Sequence, residues 1–454
     1  MSNQAPSLGA GAAVAASATR SEEDVVYAKI IWRIIPIILL AYILAFLDRI
    51  NVGYTQLQMK QDLGFSDAVY GLGAGLFFIT YLLFEVPSNL LLEKIGARLT
   101  FLRIMVLWGL CSAAMMFVSQ PWQFYTLRLL LGMFEAGFFP GVILYLTYWF
   151  PSHRRGRVTG LFLFGMPITG VIGGPLSGLI MSGMDGVAGF HGWQWVFLLE
   201  GLPTVLVGIL IYVMLPNKPS EAKWLNDREK TLVRTVIEAD RAGQTSSHHG
   251  KLSAALADPR TWVLAFIYFT CAAAVYTMTF WLPTMVKLLG VTDIVQIGWY
   301  TVIPYAFGAL GIILLSLSSD HFRERRWHVA GTMILGAIAL YLTTFLGDAF
   351  WPSIAVLCIA AFLIFGGGVL FWSIPPTYLS AEAAATGIAL ISSIGILGGF
   401  VSPSLIGFMK DWTGSINGGL AFMTVLIITG GVVTLVGVPA KALRVGRGLA
   451  ESEH

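Results

Sequence analysis

The chain has 454 residues, of which 56% are hydrophobic and only 12% charged, with a mean hydropathy of +0.75. A soluble domain carries about 25% charged residues, so this composition excludes a soluble globular protein and predicts a polytopic membrane protein whose domains are helix bundles. The formal net charge of +3 matters less than where the charges lie, and no nucleic-acid partner is expected.

Residues 1–24 are rich in Ala, Ser and Gly and end on Glu22, Glu23 and Asp24, which predicts a disordered tail. They do not read as a signal peptide, because no short apolar core follows a basic start. Twelve apolar segments follow, at 30–52, 68–91, 99–118, 122–150, 157–181, 193–215, 261–286, 295–318, 328–346, 351–379, 384–408 and 418–439. Each approaches or exceeds the ~20 residues needed to cross a bilayer as a helix. Segments 4, 5, 10 and 11 carry internal Gly and Pro, which membrane helices tolerate because neighbouring helices and waters satisfy the freed backbone groups. Cys111, Cys271 and Cys358 all fall inside apolar segments, so no disulfide framework is implied.

The longest polar stretch, 216–259, carries Lys218, Lys223, Arg228, Lys230, Arg234, Arg241 and Lys251 with acidic residues between them. Its part 221–241 lacks Gly and Pro, which predicts a linker that is partly an amphipathic helix on the membrane surface. It is too short for a sizeable core of its own. The expected organisation is therefore a tail (1–24), a six-helix bundle (25–215), a linker (216–259), a second six-helix bundle (260–440) and a C-terminal tail (441–454). Lys and Arg give the orientation, since cytoplasmic loops carry their excess. With both termini cytoplasmic, only Lys60, Lys287 and Lys410 of the 28 basic residues fall outside and only Arg49 and Arg128 lie within the membrane.

The halves look like weak repeats. Segment 5 runs from Thr159-Gly160 through Gly173-Gly174-Pro175 to Gly178, and segment 11 from Thr386-Gly387 through Gly398-Gly399 and Pro403 to Gly407. The loop after segment 2 carries Glu93, Lys94, Gly96 and Arg98; the loop after segment 8 carries Asp320, Arg323, Arg325 and Arg326. Corresponding features in two halves suggest a duplicated six-helix unit with a site between the copies.

Charges inside the apolar segments carry the functional argument, because a buried charge costs at least ~2.5–3.5 kcal/mol on insertion scales and faces a cavity or a partner. In Arg128-Leu-Leu-Leu-Gly-Met-Phe-Glu135, seven residues put guanidinium and carboxylate on one helix face. Asp48 and Arg49 close segment 1. From helical rise, Asp48 and Arg128 are expected at one depth and paired, with Glu135 ~10 Å deeper. A proton-coupled carrier needs such a set: burial favours the protonated carboxyl, a neighbouring guanidinium favours the anion, and moving the arginine loads or unloads the proton. The alternative is a static ion pair that fixes helix packing. Arg49, whose planar fork suits a carboxylate, is expected to bind substrate, unless it snorkels to the interface. Glu85 and Glu200 are expected to be structural. The cluster Arg154, Arg155 and Arg157 is either a topogenic patch or a gate pairing with Glu85 or Glu93, and Tyr81, Tyr276, Trp281, Tyr300, Phe371 and Trp372 are candidate cavity-lining aromatics.

Leu47-Asp48-Arg49-Ile50-Asn51, the Arg128–Glu135 motif, Trp149-Phe150-Pro151 with its arginines, Phe197-Leu-Leu-Glu-Gly-Leu-Pro203, Phe371-Trp372-Ser-Ile-Pro375 and Gly395-Ile-Leu-Gly-Gly-Phe400 together resemble the anion:cation symporter family of the major facilitator superfamily. The resemblance spans segments 1 to 12. It implies an all-α bundle of two rocking six-helix halves in a bacterial inner membrane, carrying an organic anion with protons and no other cofactor. It carries over Asp48 and Glu135 as proton-coupling residues, Arg49 as the substrate-carboxylate ligand, Arg128 as partner of Asp48 and Tyr81 as a hydrogen-bond donor. Tyr276, Trp372 and Ser373 complete the expected substrate site, with Glu85, Arg98 and the Arg154–Arg157 cluster in gating or structural places. A monomer is expected.

The chain also departs from the family pattern. Phe46 stands where sugar-acid carriers look to have tyrosine, and Ser392 and Ile396 stand where members commonly have asparagine. Fewer cavity amides satisfy fewer buried hydroxyls, which predicts a less hydroxylated acid, aromatic or small dicarboxylic, with a sugar acid or tartrate as the alternative. Exchange instead of symport stays open. A primary pump lacks its phosphate loop, since the only Gly-Lys pair, Gly250-Lys251, precedes Leu252. A channel would need a repeated pore motif. A membrane enzyme would need a nucleophile or metal set, but His153, His191, His248, His249, His321, His328 and His454 sit in loops or near segment ends. A non-transporting sensor on a carrier fold is the remaining alternative.

Overall fold

A computed structural model describes residues 8–243, 252–347, 349–379 and 384–439. The expected C-terminal tail lies outside them, as do residues 1–7. The described residues hold twelve helical spans long and apolar enough to cross a membrane: Glu22–Leu63, Asp67–Ile95, Ala97–Phe117, Pro121–Trp149, Ser152–Gly183, Gly192–Met214, Pro259–Leu288, Ile294–Phe322, Arg326–Phe345, Phe350–Tyr378, Thr386–Thr413 and Asn417–Gly437. They are called spans 1 to 12 below.

Span 1 departs most from expectation. The polar run after Asn51 reads as a loop, yet the helix continues to Leu63 because Val52, Tyr54, Leu57 and Met59 are buried and hold that turn against the bundle. At its other end, Glu22, Glu23 and Asp24, assigned above to a disordered tail, are already helical. They form ion pairs there, Glu22 with Arg228 at 2.8 Å, and Glu23 and Asp24 with Arg154 at 3.1 and 2.6 Å.

Segments 4, 5, 10 and 11 break, whereas spans 2, 6 and 8 also carry internal Gly and Pro and stay continuous. Span 4 is two helices, Pro121–Glu135 and Phe138–Trp149, separated where Gly137 adopts φ +87°. Span 5 divides after Leu163, span 10 after Phe371 and span 11 after Gly395. The divided spans are the fourth and fifth of each half, although span 4 breaks after 15 residues and span 10 after 22. Other contacts repeat in the same way. Arg98 donates to the carbonyl of Tyr212 near the end of span 6, and Arg326 donates to that of Leu435 near the end of span 12. The hydroxyl of Tyr145 donates to Pro216 O at 2.8 Å, and that of Tyr378 to Gly437 O at 2.9 Å. Each pair supplies a donor to carbonyls that a helix end leaves open.

The linker helix Asp227–Gly243 packs on the first half rather than lying apart on the membrane. Val233 and Ile237 are buried, Trp224 stacks on Trp149 at 5.8 Å, and Lys29 pairs with Glu229 at 2.9 Å. Asp240 accepts hydrogen bonds from the backbone and hydroxyl of Ser152 at the start of span 5.

The halves meet at the end that carries loops 64–66 and 414–416. Tyr54 shares a 2.8 Å hydrogen bond with Thr301, Gln56 and Tyr70 both donate to Phe280 O at 3.1 and 3.0 Å, and Asp411 accepts from the backbone N–H of Asp67 and Ala68 at 3.0 and 2.8 Å. Glycines let the backbones touch there: a Cβ on Gly71 would stand 2.2 Å from Pro403 O, and one on Gly407 2.2 Å from Asp67 O. Among the described residues, the hydrogen bonds joining the halves come from residues 54–71 of the first half, and the joining aromatic contacts end at Phe78–Tyr276. Among the described residues, these contacts gather at the end of the bundle that carries loops 64–66 and 414–416.

Candidate functional site

Because span 1 runs to Leu63, Asp48 and Arg49 lie near its middle rather than near its end, level with Glu135. Arg49 pairs directly with Glu135: its Nε donates to Oε1 at 2.6 Å and its Nη2 stands 2.5 Å from the same oxygen. Glu135 is the last residue before the break in span 4, so the unwound turn leaves its carboxylate free to point inward. Gly132 permits this placement, because a Cβ there would stand 2.1 Å from Phe77 O of span 2. The Arg49 guanidinium sits 5.3, 5.2 and 5.0 Å from the ring centres of Phe46, Phe77 and Tyr81, within the range of a cation–π attraction. Glu135 is fully buried, whereas Arg49 keeps 8% of its surface exposed.

The expected pairing of Asp48 with Arg128 is not made. Asp48 instead accepts from Trp108 Nε1 at 2.7 Å, Ser112 Oγ at 2.6 Å, Thr204 Oγ1 at 3.3 Å and Asn51 Nδ2 at 3.4 Å, all within the first half. Arg128 donates to the backbone carbonyls of Gly73 and Ala74 at 3.1 and 3.0 Å and lies 5.1 Å from the centre of the Phe77 ring. It is 1% exposed, so here it ties span 4 to span 2 and does not line a void. Helical rise places residues along an axis but not around it, which is why the partners were exchanged.

Tyr81 is buried beside Arg49, and Tyr276 of span 7 stacks on Phe280 at 5.8 Å and faces Phe78 of span 2 at 4.4 Å. Trp372 is half-buried against Tyr268, 4.5 Å between ring centres, and Phe371 stacks on the same tyrosine at 5.2 Å. Ser373, in the break of span 10, donates to Leu370 O at 2.6 Å, so its hydroxyl proton is already used. Of the remaining candidates, Trp281 is fully buried against Tyr70 at 5.4 Å, and Tyr300 packs on Phe350 at 4.7 Å. Phe77, Tyr268 and Tyr42, whose ring stands 5.0 Å from that of Phe46, were missed from sequence, although Phe77 is one turn from Tyr81 on the same helix face.

The gating expectations move as well. Arg154 pairs with Glu23 and Asp24 rather than Glu85 or Glu93; Arg155 donates to Phe150 O at 3.3 Å and approaches Asp240 at 3.9 Å. Arg98 lies over the Tyr212 ring at 4.3 Å, and Arg157 is exposed. Glu85, partly exposed, has no ion pair among the described residues. Glu200 accepts from Ser177 Oγ at 2.9 Å and is 2% exposed.

The sequence pattern of the Major Facilitator Superfamily matches residues 38–403. The chain belongs to the major facilitator superfamily. This facilitator is 45% identical over 433 residues to metabolite transport protein NicT of Pseudomonas putida, a provisional name, covering 94% of this chain and 98% of that protein. It is 45% identical over 414 residues to a protein provisionally named a tartrate transporter in Agrobacterium vitis, covering 91% and 95%. Among solved structures, a bacterial homologue of the lysosomal transporter Spinster, inward-facing and unoccupied, superposes with a TM-score of 0.71 at 17% identity over 90% of this chain and 95% of that one. That likeness concerns the fold alone. Family membership makes the facilitator a multi-pass membrane transporter and not an enzyme.

Proposed function

We propose that this transporter is a symporter of a bacterial inner membrane that imports an organic carboxylate with protons. The reading is carried by the Arg49–Glu135 pair, held in a ring of aromatics and facing Tyr276 of the second half. Arg49 is the group a substrate carboxylate needs, and Glu135 occupies it. A proton on Glu135 cancels that competing charge and frees the guanidinium for the incoming acid. Anion and proton then bind together and leave together. With both termini cytoplasmic, as the loop charges predict, the end at which the halves are joined faces outward.

The aromatic lining, with Phe46 beside Arg49 and Trp372 with Tyr268 across the cleft, favours an aromatic or small dicarboxylic acid. The tartrate-named relative supports a hydroxylated dicarboxylate as the second reading. Uptake into proteoliposomes, competed by gluconate-like, tartrate-like and benzoate-like acids, separates them, and a tight preference for the gluconate type would overturn the favoured reading. For coupling, Glu135→Gln should abolish uphill uptake driven by a pH gradient while counterflow persists, and Arg49→Ala should abolish binding. Uphill uptake surviving Glu135→Gln, or unchanged affinity in Arg49→Ala, would remove the mechanism.

A further inference from the structure

Glu200 was expected to be structural, and its surroundings argue otherwise. Span 6 puts it next to Asp48 within the first half: the two carboxylates lie within electrostatic reach of each other, and the Asn51 carboxamide lies within reach of both. Asp48 accepts four hydrogen bonds, from Asn51, Ser112, Trp108 and Thr204. These donors leave neither Asp48 oxygen without a partner. Glu200 accepts from Ser177 at Oε1, and the Asn51 carboxamide is another neutral polar group beside it. Its Oε2 has no partner, and neither does Asn51 Oδ1, although the residues are 2% and 0% exposed. Two neighbouring buried acceptors without a donor are costly, and the missing donor is a proton.

We propose that Glu200 carries a proton in this conformation, so that Glu200 and Asp48 form a second proton store in the first half, bridged by Asn51. A protonated Glu200 has an O–H to offer Asn51 Oδ1, and it removes the like-charge repulsion between two buried carboxylates. The other ionisable groups around the pair do not supply a cation to it. Tyr54 faces Glu200 from span 1, and Glu135 and Arg128 act on Asp48 from span 4. Arg128, however, is bound to the carbonyls of Gly73 and Ala74, and Arg49 to Glu135. One shared proton on two carboxylates gives the first half a group whose loading depends on whether Asp48 is itself protonated. Use of that proton in transport rests on the symport reading; its presence on Glu200 does not.

Infrared difference spectroscopy of the purified, ligand-free protein at neutral pH tests the presence directly. The wild type should show a protonated-carboxylic-acid carbonyl band that shifts in deuterium oxide, is lost in Glu200→Gln and survives in Asp48→Asn. Ser177→Ala, which keeps Glu200 but removes the hydroxyl that donates to it, should move the band to higher frequency; this variant carries the test if Glu200→Gln does not fold. A band that persists in Glu200→Gln, or is unmoved in Ser177→Ala, overturns the proposal. So does a wild type without the band whose thermal stability rises with sodium, which would put a cation between the carboxylates instead. If the band behaves as expected but wild-type proteoliposomes show no pH-gradient-driven uptake, the symport reading fails and the site stands.

Discussion

At the scale of single residues, the site is a sorting of four membrane-buried charges among three kinds of partner. Arg49 takes a carboxylate, Asp48 takes neutral donors and Arg128 takes backbone carbonyls. Each choice gives a different response to mutation. Arg128 is fully packed and replaces lost helix-to-helix contact with two charge-assisted hydrogen bonds. Arg128→Ala should therefore act on stability, costing on the order of 2–3 kcal/mol, read as a fall in thermal midpoint of the purified protein. An Arg128→Ala protein of normal stability but without substrate binding would return that residue to the binding site. The residues themselves were visible in the sequence as charges in apolar segments. Their partners were not, because Trp108, Ser112, Thr204 and the carbonyls of Gly73 and Ala74 come from other helices whose rotation no spacing fixes.

At the scale of elements, the broken helices and the linker matter most. Gly and Pro did not by themselves mark a break: segments 4, 5, 10 and 11 divide, whereas Pro87, Pro203, Pro283 and Pro304 sit inside continuous spans 2, 6, 7 and 8, whose neighbours satisfy the freed backbone groups. The continuation of span 1 to Leu63 was not visible, because a run of polar residues that folds against a bundle looks like one that faces water. The linker helix is fastened to the first half partly through Asp240, whose carboxyl is held below the usual range, chiefly by the hydrogen bond from the Ser152 hydroxyl, with Arg155 and His153 adding to it. A carboxyl lowered in the folded state stabilises the docking above its ordinary value, about pH 4, and loses that contribution as the pH falls through the lowered value. Hydrogen exchange in residues 227–240, taken relative to the intrinsic rate at each pH, should accordingly rise at acid pH, and Ser152→Ala should raise it already at neutral pH. Exchange insensitive to both changes would mean that Val233, Ile237 and the Trp149–Trp224 stack hold the helix alone.

At the scale of the whole molecule, the joined end is a seal made of small residues and a charge cluster. Lys60, Lys287 and Lys410, the three basic residues that the loop-charge pattern left on the outer side, come together there. Lys60 and Lys410 both bind Asp67, and Lys287 donates to Leu57 O at 3.3 Å. Asp67 and Lys410 belong to different halves, so the bond between them must break for the seal to open. Gly407→Leu should prevent the seal by pushing span 11 off Asp67. A cysteine placed at Gln56 should then become accessible to an impermeant thiol reagent, and unchanged accessibility would show that the glycine contact does not hold this end closed.

The sequence by itself determined the membrane class, the twelve helices, the duplicated plan and the identity of the buried charges. All of these follow from composition, length and the cost of charge in hydrocarbon, which act along the chain. Only the tertiary structure decided that Arg49 holds Glu135, that Asp48 stands beside Glu200 and that Arg128 faces backbone. Those pairings depend on how far each helix extends and how it is turned about its axis, and packing between distant segments sets both.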